Sequence, residues 1–307
     1  MPLESITTPT DKQRRKFLRP RTIRAARDGF ELFSLRNSDL EVTVAPALGA
    51  KIVSLKNLHS GREWLWHPES GLKLFRNQAG DEFSRSTLVG WDECLPTIVP
   101  CTWKARALPD HGEAWNQAWT LDADAWKRGV LRTSVRLPVS SFHFTRTLEL
   151  ADHTLRAEYV LENPAPLAQE FLWAAHPLLA LHEGDRLELT DETRLQLNGD
   201  SWLESLQFKA GSPGCAKLHA GPLRQGRAGV FNSRTGDRLT FEWDTAECNT
   251  LGVWLTRGGW HGHHHLALEP ANGAPDSLAV AASQWKRCGL VPPHGQKTWR
   301  LQLRVEP

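Results

Sequence analysis

Apolar and polar residues alternate with a period of two along most of the chain from residue 30 onward. In LEVTV (residues 40–44) the apolar side chains occupy every second position, and the same alternation recurs in residues 142–150, 155–161 and 299–305. Successive side chains of a strand point to opposite faces, so the pattern predicts strands with one buried face.

Helical periodicity is weak throughout the sequence. Residues 276–288 come nearest to a period of 3.6, and they predict at most a turn or two of helix. Turn signals such as HSG (59–61) and TGD (235–237) separate many short strands. We therefore expect an all-β fold, a large antiparallel β-sandwich, instead of βαβ units. Residues 28–307 are predicted to form one domain, preceded by a flexible, basic tail at 1–27.

Composition excludes several classes of function. The 37 basic and 35 acidic residues give a net charge of +2, which does not indicate nucleic-acid binding. The five cysteines are widely spaced and contain no C-x-x-C pair, which favours a reducing compartment. No apolar run reaches the length of a membrane span or resembles a secretory signal. The expectation is a cytoplasmic protein with no membrane partner. The oligomeric state is not readable from the sequence.

Two histidines lie in settings that suit chemistry. His111 follows a proline turn in LPDHGE (108–113), which places its imidazole on a loop that a ligand can approach. His176 ends the apolar run FLWAAH and precedes Pro177, which favours extended backbone. Each also has a structural interpretation: His111 could cap a turn, and His176 could be a hydrogen-bonded core histidine.

Glu269 ends the segment HLALE, in which His265, Ala267 and Glu269 share one face of a strand. If the intervening leucines face the core, the carboxylate projects into a concave surface and could exchange a proton there. A solvated strand glutamate is the alternative. The run WHGHHH (260–265) could hold a metal, but neither cysteine nor aspartate accompanies it, so no metal site is predicted.

In this order, the segments resemble the aldose 1-epimerase (galactose mutarotase-like) family over roughly residues 30–305. The residues that carry the resemblance are VAPALGAKIVSL (44–55), GREWLW (61–66), GWDECLP (90–96), DHGE (110–113), WAAHP (173–177), LEP (268–270), PDSL (275–278) and the Pro-x-Gly turn near His294.

The resemblance implies a sugar bound in an open cleft of the sandwich and a proton-transfer reaction at the anomeric carbon. Glu269 would be the general base on the anomeric hydroxyl, His176 the general acid at the ring oxygen, and His111 a group that binds and polarises the same region. The resemblance also places four substrate-binding residues: Asp92, Glu93, Glu113 and Trp254. It implies neither a cofactor nor a metal.

Two departures from the family pattern bear on the substrate. The early Asn-Arg pair that grips sugar hydroxyls is absent. The branch that acts on hexose 6-phosphates has a hydrophobic residue, then Ala-Arg, after His-Gly, whereas this chain has Glu113-Ala-Trp115. Loss of that arginine removes a phosphate ligand, so an unphosphorylated aldose is expected.

Three classes of function remain open: an epimerase, a carbohydrate-binding protein with little turnover, and a scaffold. The presence of Glu269, His176 and His111 together favours catalysis, because a binding protein has no need for both an acid and a base. A scaffold would leave the acidic residues near Trp91 and Trp115 unexplained.

Overall fold

Two large antiparallel sheets dominate the structure, a computed structural model that describes residues 20–78, 80–197, 201–203 and 214–306. The strands are β1 (Arg21–Arg27), β2 (Phe30–Arg36), β3 (Leu40–Ala45), β4 (Lys51–Asn57), β5 (Trp91–Cys94), β6 (Cys101–Trp103), β7 (Arg106–Leu108), β8 (Thr120–Leu121), β9 (Leu131–Arg136), β10 (His143–Ala151), β11 (Thr154–Glu162), β12 (Gln169–Phe171), β13 (Ala174–Ala180), β14 (Asp185–Leu189), β15 (Leu195–Leu197), β16 (Ser201–Leu203), β17 (Gly214–Ala220), β18 (Gly226–Asn232), β19 (Arg238–Trp243), β20 (Thr250–Arg257), β21 (His264–Ala271), β22 (Gly289–Val291) and β23 (Gln296–Glu306).

The first sheet has eleven strands in the order β1-β2-β3-β4-β5-β13-β21-β20-β17-β15-β16, and the second has eight in the order β14-β18-β19-β23-β11-β10-β9-β8. Two small ribbons, β6-β7 and β12-β22, lie beside them. Among the described residues, helix is confined to short turns: α1 (Ala123–Lys127), α2 (Leu278–Val280), a 3₁₀ turn at Phe83–Arg85 and a π turn at Ala281–Trp285. The predicted all-β antiparallel sandwich is confirmed.

The core between the sheets is built from the alternating apolar positions that the sequence shows. In β23, Trp299, Leu301, Leu303 and Val305 are buried, and the residues between them are exposed. Together with the apolar faces of β10 and β11 they join one large cluster of buried side chains. Burial of these apolar faces is the main force that holds the two sheets together.

The first strand corrects one boundary. The sequence assigned residues 21–27 to the flexible tail, but the structure forms β1 there, paired with β2 along its whole length. Six of its seven residues are exposed. An edge strand held mainly by backbone hydrogen bonds needs no apolar alternation, so its sequence gives no strand signal. Residues 1–19, the rest of the predicted tail, lie outside the described residues.

The centre of the first sheet positions the candidate site. Strands β5, β13, β21, β20 and β17 are neighbours there, and residues directly opposite each other across a ladder share a face. Leu266 and Leu268 of β21 join the core cluster, so Glu269 and the residues in register with it point to the opposite face. That face carries the polar residues described next.

Candidate active site

The structure brings together the three residues proposed as catalytic. Nε2 of His176 lies 3.7 Å from Oε1 of Glu269. The ring of His111 meets the ring of His176 edge to face, with centroids 5.2 Å apart. Residues separated by more than 150 positions in sequence therefore converge on one polar group.

Local backbone geometry explains the position of His111. Gly112 has a φ of +74°, and a Cβ there would come within 2.1 Å of the backbone oxygen of Leu95. Only glycine tolerates both the left-handed backbone and this close approach. His111 also has a positive φ, of 55°, and its N–H donates to the carbonyl of Ile98 at 2.6 Å. The loop therefore holds the imidazole against the sheet.

Neighbours of His111 fix the orientation of its ring. Nδ1 lies 2.8 Å from Oδ1 of Asp110, and the ring of Phe83 stacks on the imidazole at a centroid distance of 3.9 Å. Burial acts to raise the pKa of Asp110, but the hydrogen bond and charge of His111 hold it below its ordinary value. When Nδ1 binds Asp110, Nε2 is left to face a ligand.

A half-buried lysine with no distinctive sequence signal, Lys217, contacts the candidate base. Nζ of Lys217 donates to Oε2 of Glu269 and lies 3.7 Å from Oδ2 of Asp276. The other oxygen of Asp276 is 2.9 Å from Nε2 of His219. Burial opposes the charge of Lys217, yet Asp276 and Glu269 raise its pKa well above the ordinary value. Lysine and Glu269 thus form a charged pair within a larger network.

Glycine in the neighbouring strand makes room for this pair. A Cβ at Gly252 would lie 2.9 Å from Oε2 of Glu269 and 3.4 Å from Nζ of Lys217. Any larger residue at this position in β20 would push the carboxylate away from the ammonium. Gly252 therefore belongs to the architecture of the site although it carries no side chain.

Asp92 lies beside His176 and is paired with a second lysine, which is fully buried. The two residues are opposite each other across β5 and β13. Nζ of Lys51 donates to Oδ2 of Asp92, and both side chains are almost inaccessible to solvent. Burial raises the pKa of Asp92 in spite of the lysine charge.

Several buried polar atoms in this group have no hydrogen-bond partner among the described residues. They are Nδ1 of His176, Oε1 of Glu269 and Oδ1 of Asp92. Desolvation by burial is the main cause that lowers the pKa of His176 well below its ordinary value, and the charges of His111 and Lys217 add to it. His176 is consequently neutral in the free protein near pH 7.

Trp254 lies on the same face, further along β20. Its Nε1 donates to Nε2 of His265 at 3.2 Å. Burial lowers the pKa of His265 to about 3, so the ring stays neutral and its nitrogen remains an acceptor. Trp66 packs on His265 with ring centroids 4.9 Å apart. These aromatic rings form an apolar wall beside the polar group.

Two of the predicted substrate-binding residues lie elsewhere. Glu93 points into the core between the sheets, where it accepts hydrogen bonds from Arg146 at 2.8 Å, Tyr159 at 3.1 Å and Trp173 at 2.8 Å. Adjacent residues of a strand face opposite ways, so Asp92 and Glu93 cannot both line one cleft.

The carboxylate of Glu113 is hydrogen-bonded to backbone groups. It accepts hydrogen bonds from the N–H groups of Val139 and Ser140, and the side chain is buried. These bonds tie the His-Gly loop to the turn before β10. Neither Glu93 nor Glu113 joins the group around Glu269.

Sequence reasoning missed Lys217, Lys51, Asp276 and Phe83. Lys217 and His219 alternate with the apolar Ala216 and Leu218, which is also the pattern of a solvated strand face. Asp276 was recognised only as part of the segment PDSL (275–278), without a role of its own. The pairing of a lysine with a carboxylate across strands depends on sheet order, which one sequence does not reveal.

The comparisons with known proteins identify the class of fold. No model of a protein family and no curated protein matches the sequence. Solved structures do match, at identities that establish the fold alone, and the fold is that of the galactose mutarotase-like proteins. The family resemblance read from the sequence is confirmed at this level.

Particular structures show how far the similarity extends. A protein of Synechocystis sp. PCC 6803 is 17% identical over 99% of this chain and 99% of its own, with a TM-score of 0.70. A candidate aldose 1-epimerase from Escherichia coli K12 is 16% identical over 90% and 98%, with a TM-score of 0.68. A galactose mutarotase-like protein from Clostridium acetobutylicum is 13% identical over 94% and 98%, with a TM-score of 0.69.

In the described part of the chain, no helix has the length and apolar character needed to cross a membrane.

Proposed function

We propose that the protein is an aldose 1-epimerase that interconverts the α and β anomers of an unphosphorylated aldose. The observation that carries the proposal is the set of partnerless buried atoms on Glu269, His176 and Asp92. Buried polar atoms are normally hydrogen-bonded, so such atoms on adjoining side chains suit a ligand rich in hydroxyl groups.

The spacing of the acid and the base supports reaction at an anomeric carbon. O1 and O5 of a pyranose are both bonded to C1, so the groups that serve them must lie side by side. The 3.7 Å between Nε2 of His176 and Oε1 of Glu269 meets this requirement. The ring of His111 contacts the ring of His176, and His111 is proposed to bind and polarise the substrate beside it.

In the proposed reaction Glu269 removes the proton from O1 while protonated His176 donates a proton to O5. The C1–O5 bond breaks and C1 becomes an aldehyde. After rotation about C1–C2, His176 takes the proton back from O5 and Glu269 returns its proton to O1. The C1–O5 bond forms again with the opposite configuration, and the cycle neither gains nor loses a proton or an electron.

Lys217 is proposed to position the carboxylate of Glu269, the base. Its ammonium donates to Oε2 of Glu269 and leaves Oε1 directed toward His176. This contact fixes the orientation of the carboxylate that is proposed to accept the proton from O1. Lys217 is thus a positioning residue for Glu269.

The charge balance of the group supports a neutral substrate. Lys51 is paired with Asp92, and Lys217 is shared between Glu269 and Asp276. In the described structure neither lysine is left over for a phosphate. We extend the proposal to Asp92 and Trp254 as substrate-binding residues, with Asp92 for a hydroxyl and Trp254 for an apolar face of the sugar.

Substrate entry requires movement of the segment that carries Phe83. His176 and Glu269 have only 8% and 2% of their side-chain surface exposed. Phe83 lies against the two histidines, stacked on His111 and edge-on to His176 at 5.2 Å. We propose that this aromatic ring moves aside and then packs against the bound sugar.

We propose a reducing, cytoplasmic location and a reaction that needs no cofactor. All five cysteines are free in the structure. Free cysteines are common where thiols are kept reduced. The acid–base steps above require only side chains and substrate.

Anomer-exchange NMR on a panel of neutral and phosphorylated aldoses tests the proposed function. We expect line broadening or exchange cross-peaks between α and β signals for at least one neutral aldose, at protein concentrations where heat-denatured protein gives none. Saturable sugar binding without exchange would favour a carbohydrate-binding protein. Exchange restricted to phosphorylated sugars would refute the assignment of the substrate class.

A further inference from the structure

A second group of side chains with metal-binding atoms lies apart from the residues around Glu269. Asp39 is in the turn between β2 and β3, His59 follows β4, and His153 is in the turn between β10 and β11. One ligand atom from each lies within 4.8 Å of the others. Two of these turns belong to the first sheet and one to the second. The group therefore bridges the two layers of the sandwich.

The carboxylate is the centre of the group. Oδ1 of Asp39 lies 2.7 Å from Nε2 of His59 and 3.7 Å from Nδ1 of His153. The other carboxylate oxygen, Oδ2, accepts a hydrogen bond from Oγ of Ser38 at 2.9 Å, which helps to fix the orientation of the carboxylate.

Hydrogen bonds to the backbone hold the three turns in place. Oδ1 of Asn37 accepts from the N–H of Asp39 at 2.9 Å, and its Nδ2 donates to the carbonyl of Asp152 at 2.8 Å. The N–H of Leu58 donates to the carbonyl of Asp39 at 2.8 Å. Each ligand-bearing turn is therefore linked to another independently of the ligand side chains. Such support lowers the cost of assembling a metal site.

The donor set and its spacing suit a small divalent transition metal. Two imidazole nitrogens and one carboxylate oxygen, at about 2.0–2.1 Å from a tetrahedral zinc ion, lie about 3.3 Å from one another. Oδ1 of Asp39 lies 2.7 Å and 3.7 Å from the two ring nitrogens, and small rotations of the side chains would bring the three atoms to the zinc spacing. His59 and His153 have 48% and 43% of their side chains exposed, so both rings are free to rotate. With three protein ligands, a tetrahedral ion would take a water molecule as the fourth.

We propose that Asp39, His59 and His153 bind one zinc-like divalent ion, which ties the two sheets together at this end of the sandwich. The ion binds the folded chain, whose three turns are adjacent, more tightly than the unfolded chain, in which they are far apart. Its effect is on stability, because none of the three residues belongs to the group around Glu269.

Zinc titration by calorimetry tests this proposal, with ZnCl₂ as the probe and full-length, chelator-treated protein. The histidines of the 261–264 run, of which His261 and His264 are exposed and His263 is half-buried, are a competing source of binding. The background is therefore the triple variant H261N/H263N/H264N. On this background, D39N and H59N/H153N are compared with the parent. Urea unfolding with and without zinc is the second measurement.

We expect the parent to bind one zinc ion, and both added variants to weaken binding by more than about 100-fold, since even residues behind the ligands typically contribute 10–100-fold. Zinc at 100 times its dissociation constant should shift the parent's unfolding equilibrium by about 100-fold and leave that of H59N/H153N unchanged. Absence of binding in the parent, or binding of equal strength in H59N/H153N, would show a hydrogen-bonded cluster only and overturn the proposal.

Discussion

Replacing Lys217 with methionine removes the one ammonium that contacts Glu269 in the described structure. Methionine keeps an unbranched stem of similar length, so the packing changes little. The variant leaves the carboxylate of Glu269, which is 2% exposed, and that of Asp276, which is 21% exposed, without the lysine charge. Asp276 keeps its hydrogen bond to His219. Glu269 therefore loses more electrostatic stabilisation than Asp276 does.

The expected loss of stability follows from burial. Removing one partner of a buried ion pair costs about 3–5 kcal/mol, because the other charge stays in the protein without compensation. Lys217 has 20% of its side chain exposed, so water screens part of the interaction and the low end of this range applies. The exposed pair of Lys127 and Asp124, at 74% and 76% exposure, is the matched control, and Lys127→Met should cost about 0–1 kcal/mol.

The pH dependence of this loss has a definite sign. Burial acts to raise the pKa of Asp276, but Lys217 and His219 lower it well below its ordinary value. A lowered carboxyl pKa stabilises the fold above the unfolded-state value of about 3.9 and loses that contribution as the pH falls through the folded-state value. The difference between wild type and Lys217→Met should therefore be largest near pH 7 and shrink below about pH 4.

Urea unfolding of wild type, Lys217→Met and the double variant Lys217→Met/Glu269→Gln measures these quantities. The double variant should regain stability relative to Lys217→Met, because no buried charge is left alone at Glu269. In the anomer-exchange assay, turnover of folded Lys217→Met should fall, because the carboxylate of Glu269 loses the contact that positions it. A stability loss under about 1 kcal/mol, with no recovery in the double variant, would refute the reasoning.

Further predictions concern the core and the two histidines. Glu93→Gln leaves Arg146 buried without its counter-charge, so unfolding free energy should fall by about 3–5 kcal/mol in urea titrations, while the sugar affinity of the folded protein is retained. His111→Asn should raise the sugar dissociation constant more than it lowers turnover, in NMR titrations and exchange rates. Because burial lowers the pKa of His176, and the protonated ring is the acid, kcat/KM should fall as the pH rises, with an alkaline limb below the ordinary histidine value of 6.5.

The sequence predicted the sheets well because alternation reports burial directly. The faces of β11 and β23 follow from every second residue being apolar. β1 was missed because an exposed edge strand has no buried face to mark it. Strands with a buried face could thus be predicted from the sequence, whereas a strand that is paired but exposed could not.

The candidate site was only partly readable for a different reason. His111, His176 and Glu269 stand in distinctive local settings, and the structure brings them together. Their charged partners do not stand in distinctive local settings. Lys217 contacts Glu269 only because β17, β20 and β21 are neighbours in the sheet. By contrast, the opposite orientation of Asp92 and Glu93 was available from strand geometry alone.

The most direct test of the account is the anomer-exchange rate of Glu269→Gln compared with wild type at matched sugar saturation. Glutamine keeps the shape of the side chain and can still hydrogen-bond O1, so sugar binding should largely survive. The exchange rate should fall by roughly 10²–10⁴-fold, the usual contribution of a positioned proton-transfer group. The control variant Glu247→Gln, which alters a half-buried ion pair with Lys297 outside the candidate site, should exchange at the wild-type rate. Equal exchange rates for wild type and Glu269→Gln, with sugar binding intact in both, would contradict the assignment of Glu269 as the base.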